Sequence, residues 1–247
     1  MIRNLLGALA FTACFAFAQS AAALVIQAKL TGFESTPMTV SGVGTGGGRG
    51  TFELLGADGP IPVGFEDILD ASFQAVCLEP DSFVTVNQTY NFAVTDLAFA
   101  PTSAASTGGM GAAREQFFEG LVSLGGFESV EALTGSQVFS ATGMVYELGY
   151  ETLGNTPDLL AGDTLISGPG TLAGQTLVTQ YLGGARGALE VDALALINLG
   201  PVGPSTFSVF EGQDFVVWNS RTVPTPGALA LMGLGMIGLV AVRKRAG

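Results

Sequence analysis

Two groups of acidic residues could carry chemistry in this chain. Glu66, Asp67 and Asp70 form the first group, and Glu79 with Asp81 forms the second. Paired carboxylates serve as acid and base in glycoside hydrolysis, and carboxylate oxygens also bind Ca²⁺. Because spacing alone does not place them across one cleft, we interpret both groups as solvated acidic loops. Calcium binding and a secreted hydrolase that uses Asp67 and Glu79 remain the alternatives, and we expect no metal site and no cofactor.

The 247 residues include no histidine. This excludes Ser-His-Asp and Cys-His catalytic sites, an imidazole acid or base, and any histidine-bound zinc or iron. The nucleophile motif G-x-S-x-G is also absent from the sequence. We therefore predict a non-enzymatic protein.

The N-terminus has the three parts of a secretory signal peptide. Arg3 supplies the positive charge, residues 5–17 form an uncharged and mostly apolar stretch, and small residues follow. We expect cleavage after Ala23, with cleavage after Ala18 as the alternative. Residues 1–23 are then the signal peptide, and the exported domain begins at Leu24.

After this cleavage the chain keeps one cysteine, Cys77, because Cys14 lies in the signal peptide. The exported domain therefore has no internal disulfide and depends on a hydrophobic core. A buried core thiol is the interpretation that a single cysteine favours. Neighbouring Glu79 and Asp81 should raise the pKa of this thiol, because a negative neighbour disfavours the thiolate.

The C-terminal 25 residues combine three features. Residues 223–226 read Val223-Pro224-Thr225-Pro226, residues 227–242 carry no charge, and Arg243, Lys244 and Arg245 follow. A helix over 227–242 is about 24 Å long, a short span for a bilayer core of about 30 Å. Basic residues stay on the cytoplasmic side, so the preceding domain should face outward. A plain membrane anchor is the alternative reading.

This tail resembles the PEP-CTERM sorting signals, in a form close to their VPLPA variant. Thr225 stands where glutamate or leucine is usual. The resemblance implies an exosortase-type membrane peptidase as partner and a transient anchor in the inner membrane of a Gram-negative bacterium. It implies export to the cell surface or the biofilm matrix, where an extracellular polysaccharide is a further expected partner.

The exported domain, residues 24–222, contains five basic and 21 acidic residues, a net charge of −16. Such a surface repels phosphate backbones, so we expect no nucleic-acid partner.

The order of sequence patterns predicts an α+β domain, a β-sandwich or barrel with a helical insertion. Alternation and residue type predict strands, and apolar residues at helical spacing predict helices. The glycine-rich residues 41–50 should form a hairpin loop. The predicted strands are 24–32, 51–55, 71–78, 83–97 and 206–218, the predicted helices are 112–124, 129–151 and 171–182, and 188–199 is a helix or a strand.

Two segments of this domain resemble thioester-domain-like exported proteins. One is residues 73–80 around Cys77, and the other is residues 144–151, Met-Val-Tyr-Glu-Leu-Gly-Tyr-Glu. The pair Gln213-Asp214 is similar to a Gln-Asp that such chains carry before the sorting tail. In that family a cysteine and a glutamine form an internal thioester that captures surface amines.

The resemblance places the bond-forming glutamine at Thr142, which has no side-chain carbonyl to acylate. Gln137 is the nearest glutamine of the predicted helix, five residues earlier. We therefore predict a structural Cys77, and a covalent adhesin that uses a Cys77 thioester is the alternative function.

Overall fold

The computed structural model describes residues 24–40, 44–80, 84–101, 109–152, 155–162, 164–202 and 212–222. The predicted signal peptide, residues 1–23, and the predicted sorting tail, residues 223–247, lie outside these ranges, as does Asp81. The described chain is a mixed α+β fold in which a closed six-stranded antiparallel barrel carries three α-helices. This confirms the predicted α+β class, and of the two predicted β architectures it is the barrel that forms.

The barrel order is β1-β4-β5-β9-β8-β6, and a small second sheet has the order β3-β2-β7. Every strand pair is antiparallel. The described ranges contain nine strands: β1 Leu24–Ser35, β2 Thr39–Val40, β3 Gly44–Thr45, β4 Gly48–Ala57, β5 Ser72–Cys77, β6 Thr89–Asp96, β7 Ile166–Ser167, β8 Leu189–Pro201 and β9 Phe215–Thr222.

The helices are α1 Ala112–Gly125, α2 Gly135–Tyr150 and α3 Thr171–Leu182, all inserted between β6 and β8. Helix α2 begins at Gly135, later than the predicted residue 129. The reason is a capping box at the helix start. The Thr134 side chain accepts from the Gln137 backbone N–H, and the Gln137 side chain accepts from the Thr134 backbone N–H. Residues 188–199, predicted as helix or strand, are part of strand β8.

An aromatic cluster fills the barrel interior. Phe52 stacks on Phe73 with ring centroids 5.2 Å apart, and it meets Phe92 and Phe215 edge-on at 5.5 and 4.9 Å. These four residues come from four different strands and are fully or almost fully buried. Their packing supplies the core that a domain without a disulfide requires.

Helix α2 is the most buried helix of the fold. All twelve residues from Val138 to Gly149 are buried, including Glu147. A helix that is buried on every side has no polar face, which explains why its sequence lacks a clear amphipathic pattern. It packs against α1 and α3 and against strands β4 and β5.

The barrel closes through a narrow seam between β5 and β9. In the described ranges two residue pairs join these strands, Val76 with Val216 and Cys77 with Phe215, and just beyond them the Leu78 N–H donates to the Asp214 carbonyl at 2.8 Å. Neighbouring strands such as β8 and β9 share eight pairs. Ladder hydrogen bonds alone therefore give little support at this point of the wall.

The connection between α1 and α2, residues 127–133, lies across this seam. On the β9 side, the Trp218 indole donates to the Phe127 carbonyl at 2.9 Å. On the β4 side, the Arg49 guanidinium donates to the carbonyls of Val130, Glu131 and Leu133 at 2.8 to 3.3 Å. It also pairs with Glu34 at 2.6 Å. One arginine thus fixes the connection to the barrel.

Among the described residues, no helix is long and apolar enough to cross a membrane. The predicted span, residues 227–242, is outside the described part of the chain.

The anchoring role of Arg49 gives a stability prediction. Arg49→Met removes two half-buried hydrogen bonds, to the Val130 and Leu133 carbonyls, and an exposed one to Glu131, so we expect the free energy of unfolding to fall by about 2 kcal/mol. Arg221→Met is the matched control, since Arg221 pairs with Glu190 while both side chains are more than half exposed. Its effect on the free energy of unfolding should be much smaller, because solvent screens an exposed ion pair. Urea unfolding followed by Trp218 fluorescence measures both, and equal losses would contradict the role of Arg49.

Candidate functional site

Cys77 ends strand β5 and lies at one end of the barrel. Its side chain is 1% exposed. The thiol has two hydrogen-bonding neighbours, the backbone N–H of Gly48 and the hydroxyl of Tyr146 on α2. Strand β5 places Cys77 opposite Phe215, so the thiol is adjacent to the seam described above.

The backbone carbonyl of Glu79 connects the groups around Cys77. The Tyr146 hydroxyl donates to this carbonyl at 2.9 Å, and the Gln213 side-chain amide donates to it at 2.7 Å. Because Tyr146 gives its only proton to Glu79, its oxygen is left to accept from the Cys77 thiol. The predicted site residue Cys77 therefore belongs to one hydrogen-bonded cluster with Tyr146, Glu79 and Gln213, which is part of the Gln-Asp pair noted above.

Gly47 allows the start of β4 to approach helix α2 at this cluster. A Cβ atom at Gly47 would lie 2.8 Å from Thr142 Cγ2 and 3.3 Å from the Tyr146 hydroxyl oxygen. Any side chain here would push the strand away from the helix. The glycine-rich segment predicted as a hairpin loop thus includes a packing contact between barrel and helix.

The two helix positions singled out for thioester chemistry have structural roles. Thr142 is fully buried, and its hydroxyl donates to the Val138 carbonyl of its own helix at 2.8 Å. Gln137 accepts from the Thr134 N–H and hydroxyl, each at 2.8 Å, as part of the capping box. Nine residues separate Gln137 from Tyr146, about 13 Å along the helix, so Gln137 is remote from Cys77.

Burial dominates the protonation of Cys77. It raises the thiol pKa far above its ordinary value, and the charge of Glu79 raises it further, against the hydrogen bonds from the backbone N–H groups of Gly48 and Cys77, which favour the thiolate. The expected effect of Glu79 is present, but it is smaller than that of burial. A protonated thiol is a poor nucleophile, so the geometry supports a structural role.

Asp214 is a buried carboxyl beside the same cluster. It is 3% exposed, and its Oδ1 accepts from the Asn198 N–H at 2.7 Å. Burial, followed by the charge of Glu79, raises its pKa to about 8, while the Asn198 hydrogen bond opposes the shift. At neutral pH this carboxyl is mostly uncharged.

A second polar group begins at the next residue of α2, Glu147, on a different face of the helix from Tyr146. Glu147 is 1% exposed, and burial raises its pKa to about 8; the charges of Glu151 and Asp158 add to the rise, while the Asp158 backbone N–H and the Arg114 charge oppose it. Arg114 donates from α1 to the carbonyls of Leu148 and Glu151. Sequence patterns did not indicate this group, because its members come together only when α1 packs on α2.

The acidic groups do not form one cleft. Glu66, Asp67 and Asp70 are exposed in the connection that precedes β5, whereas Glu79 follows the end of β5. A six-residue strand spans roughly 17 to 20 Å, and glycosidase carboxyls need roughly 5 to 9.5 Å. Within the described ranges, no group of three acidic or cysteine side chains could hold a metal ion.

Comparison with protein-family models, with curated proteins and with solved structures gives no match for this chain.

The cluster predicts the behaviour of a Cys77→Ala variant. The change removes one buried sulfur atom, so we expect a loss of about 1 kcal/mol in unfolding free energy and a normal fold. Wild type should show the calculated intact mass and no covalent adduct with methylamine. A mass about 17 Da lower, the loss of one ammonia, would contradict this and indicate a thioester. Gln213, and not Gln137, is then the acyl donor to test, because it shares the Glu79 carbonyl with Tyr146.

The raised pKa of the buried Asp214 carboxyl should make the stability of the fold depend on pH. Its pKa is higher in the folded than in the unfolded state, so it stabilises the fold below about pH 4 and loses that contribution as pH rises to about 8. Asp214→Asn keeps the oxygen that accepts from Asn198, and it should raise unfolding free energy at pH 8.5 by about 1 to 3 kcal/mol. Exposed Asp67→Asn is the control. Denaturant unfolding at pH 5 and pH 8.5 measures the difference, and an equal response of both variants would rule out the role of Asp214.

Proposed function

We propose that this chain is an exported, non-enzymatic protein of the cell surface or extracellular matrix, sorted by an exosortase-type system. Residues 1–23 direct export, residues 24–222 form the displayed domain, and residues 223–247 hold the protein transiently in the inner membrane. The exosortase-type peptidase and the inner membrane are its first partners, and an extracellular polysaccharide is the partner in its final location.

The observation that carries this proposal is the tripartite tail. A proline-containing motif at 223–226, sixteen uncharged residues and three consecutive basic residues occur in this order, in a chain that also opens with a secretory pattern. The apolar run has no polar face to present to water. A basic end directly after it fixes the orientation with residues 24–222 outside.

The topology of the barrel supports display from a tether. Strand β1 begins at Leu24 and β9 ends at Thr222, at the predicted borders of the exported domain. Leu24 pairs with Val94 near the end of β6, and Thr222 pairs with Leu189 at the start of β8. The two borders of the exported domain, Leu24 and Thr222, therefore lie at the same end of the barrel. The Cys77 cluster lies at the opposite end.

The charge distribution fits an outward-facing domain. Of its five basic residues, Arg49 and Arg114 donate to backbone carbonyls inside the fold, and Arg221 pairs with Glu190. Most acidic side chains of the described ranges are exposed, which keeps the surface of the domain strongly anionic. Such a domain stays soluble and repels nucleic acid.

The proposal predicts that a variant lacking residues 223–247 is released. Without the apolar run nothing retains the exported domain at the membrane, so it should move from the membrane fraction to the soluble exported fraction. Arg221→Gln, one residue before Thr222, is the matched control and should localise as wild type. Immunoblots of separated fractions measure the distribution. If the truncated protein localises as wild type does, residues 223–247 do not hold the protein at the membrane.

A second pair of variants separates sorting from plain anchoring. Pro224→Ala with Pro226→Ala leaves the apolar run and the basic end intact. If a peptidase reads the motif, the double variant should stay in the inner membrane and fail to reach the surface. If the double variant reaches the surface as wild type does, no peptidase reads the motif and the tail acts only as a membrane anchor.

A further inference from the structure

Strand β8 has an edge that no described strand covers, and helix α1 lies along it. The pairing of β8 with β6 ends at Leu194, so the first five residues of β8 extend beyond β6. The Glu119 side chain on α1 accepts from the Ala193 N–H at 3.2 Å. The Ser123 hydroxyl accepts from the Leu189 N–H at 3.1 Å and donates to the Leu189 carbonyl at 2.6 Å. Two side chains of α1 therefore take the place of a neighbouring strand.

Val191 lies between these two contacts, and its backbone has no such partner at the edge. Backbone groups alternate in direction along a strand, so the N–H and C=O of Val191 point the same way as those of Leu189 and Ala193. The pairing of β8 with β9 has no bulge over these residues, so the alternation is unbroken. Among the described residues, no group outside the strands bonds to the Val191 N–H or C=O. This edge therefore offers one free donor and one free acceptor.

A cavity of about 250 Å³ opens between this edge, helix α1 and the end of α3. Val191, Glu119 and Tyr181 are among the residues that line it. Glu119 accepts from Ala193 through Oε1, whereas its Oε2 is accessible to solvent and has no partner among the described residues. The Tyr181 hydroxyl is accessible and unpaired in the same sense. A ligand in this cavity can therefore reach several polar groups that lack a partner.

Arg186 also lines this cavity, and it has no carboxylate partner among the described residues. Its guanidinium lies over the Tyr181 ring at 4.2 Å from the centroid, and Nη1 donates to the carbonyls of Tyr181 and Ala185 at 2.9 and 2.7 Å. Gly120 lets Tyr181 pack closely on α1, because a Cβ atom there would overlap the ring. The ring and the two carbonyls fix the arginine, so its remaining N–H groups are available to a ligand at low entropic cost.

These groups suit a single secondary amide better than they suit a peptide strand. The C=O and N–H of a trans amide point in opposite directions, so the amide can accept from the Val191 N–H and donate to Glu119 Oε2 across the cavity. A peptide strand presents amides along its length and needs open groups on both sides of Val191. Leu189 and Ala193 are already bonded to α1, so an amide on a side arm meets this restriction and a strand does not.

The acetamido group of an N-acetylated sugar is such an amide, and it carries no charge. A neutral ligand is not repelled by a domain of net charge −16, unlike an acidic polysaccharide. The sugar hydroxyls beside the acetamido group can both donate and accept, so the Val191 C=O, the Tyr181 hydroxyl and the Arg186 guanidinium can pair with them.

We propose that this cavity binds an N-acetylated sugar, whose acetamido group lies between the Val191 N–H and Glu119 Oε2. The inference rests on the proposed function, because it names the class of extracellular polysaccharide that the displayed domain engages, one with N-acetylated residues. The Arg186 guanidinium and the Tyr181 hydroxyl bind the hydroxyls of the same sugar ring.

Saturation-transfer NMR on the purified full-length protein in detergent micelles tests this proposal. The probes are N-acetyl-D-glucosamine, D-glucose, which lacks the acetamido group, and N-acetyl-L-alanine methylamide, which presents a peptide. At about pH 8 Glu119 is mostly ionised, because burial and the charge of Glu115 raise its pKa to about 7. We expect the other two probes to bind at least about tenfold more weakly than the N-acetylated sugar. The Val191 amide resonance in a ¹H–¹⁵N spectrum should shift as this sugar is added.

Glu119→Gln separates ligand binding from folding. The glutamine oxygen can still accept from the Ala193 N–H, but its NH₂ group cannot accept from the acetamido N–H, so sugar binding should weaken by at least about tenfold. Glu115→Gln is the matched control one helical turn earlier, since Glu115 accepts from the Ala98 N–H at 3.2 Å and does not line the cavity. It should bind within about threefold of wild type. Thermal unfolding confirms that each variant is folded.

The proposal is overturned if wild type does not bind N-acetyl-D-glucosamine, if D-glucose binds equally well, or if Glu119→Gln binds as wild type does. Tighter binding of the peptide probe than of the sugar would also overturn it, in favour of a protein partner. Correct localisation of the full chain together with absent sugar binding would overturn this inference alone and leave the proposed function standing.

Discussion

The closure of the barrel at the β5–β9 seam is the constraint on which the other features of this fold depend. Two residue pairs are too few to hold the wall, and the connection at residues 127–133 covers the gap from Trp218 on β9 to Arg49 on β4. That connection also sets where α1 ends and α2 begins. The aromatic cluster around Phe52 can exclude water only while the seam is closed, so the helical insertion completes the barrel.

Helix α2 links the two polar groups of the domain. Near its C-terminal end, one face brings Tyr146 to Cys77, and the next residue, Glu147, lies near Arg114 of α1. The first group is fully satisfied, because Tyr146 and Gln213 both donate to the Glu79 carbonyl and the buried thiol stays protonated. The second retains one unpaired oxygen.

Local patterns predicted much of this fold. Alternation found strands β1, β5 and β6, and helical spacing found α1 and α3 to within a few residues. The choice between sandwich and barrel was not predictable, because it depends on which strands close the sheet. The roles of three residues were not predicted for a related reason, namely Arg49, Asp214 and Glu147. Each forms hydrogen bonds with residues more than ten positions away in the chain, and nothing in its local sequence indicates these partners. The thioester resemblance placed its glutamine position at Thr142, with Gln137 as the nearest helix glutamine. Long-range pairing instead brings Gln213 to the Cys77 cluster.

Export is the premise of the whole account, and the termini of the mature protein test it most directly. Mass spectrometry of terminal peptides, on protein recovered from membrane and external fractions, identifies the first residue. The account predicts a chain that begins at Leu24, or at Gln19 if cleavage follows Ala18, with strand β1 intact. A mature protein that retains Met1 in both fractions would contradict the account.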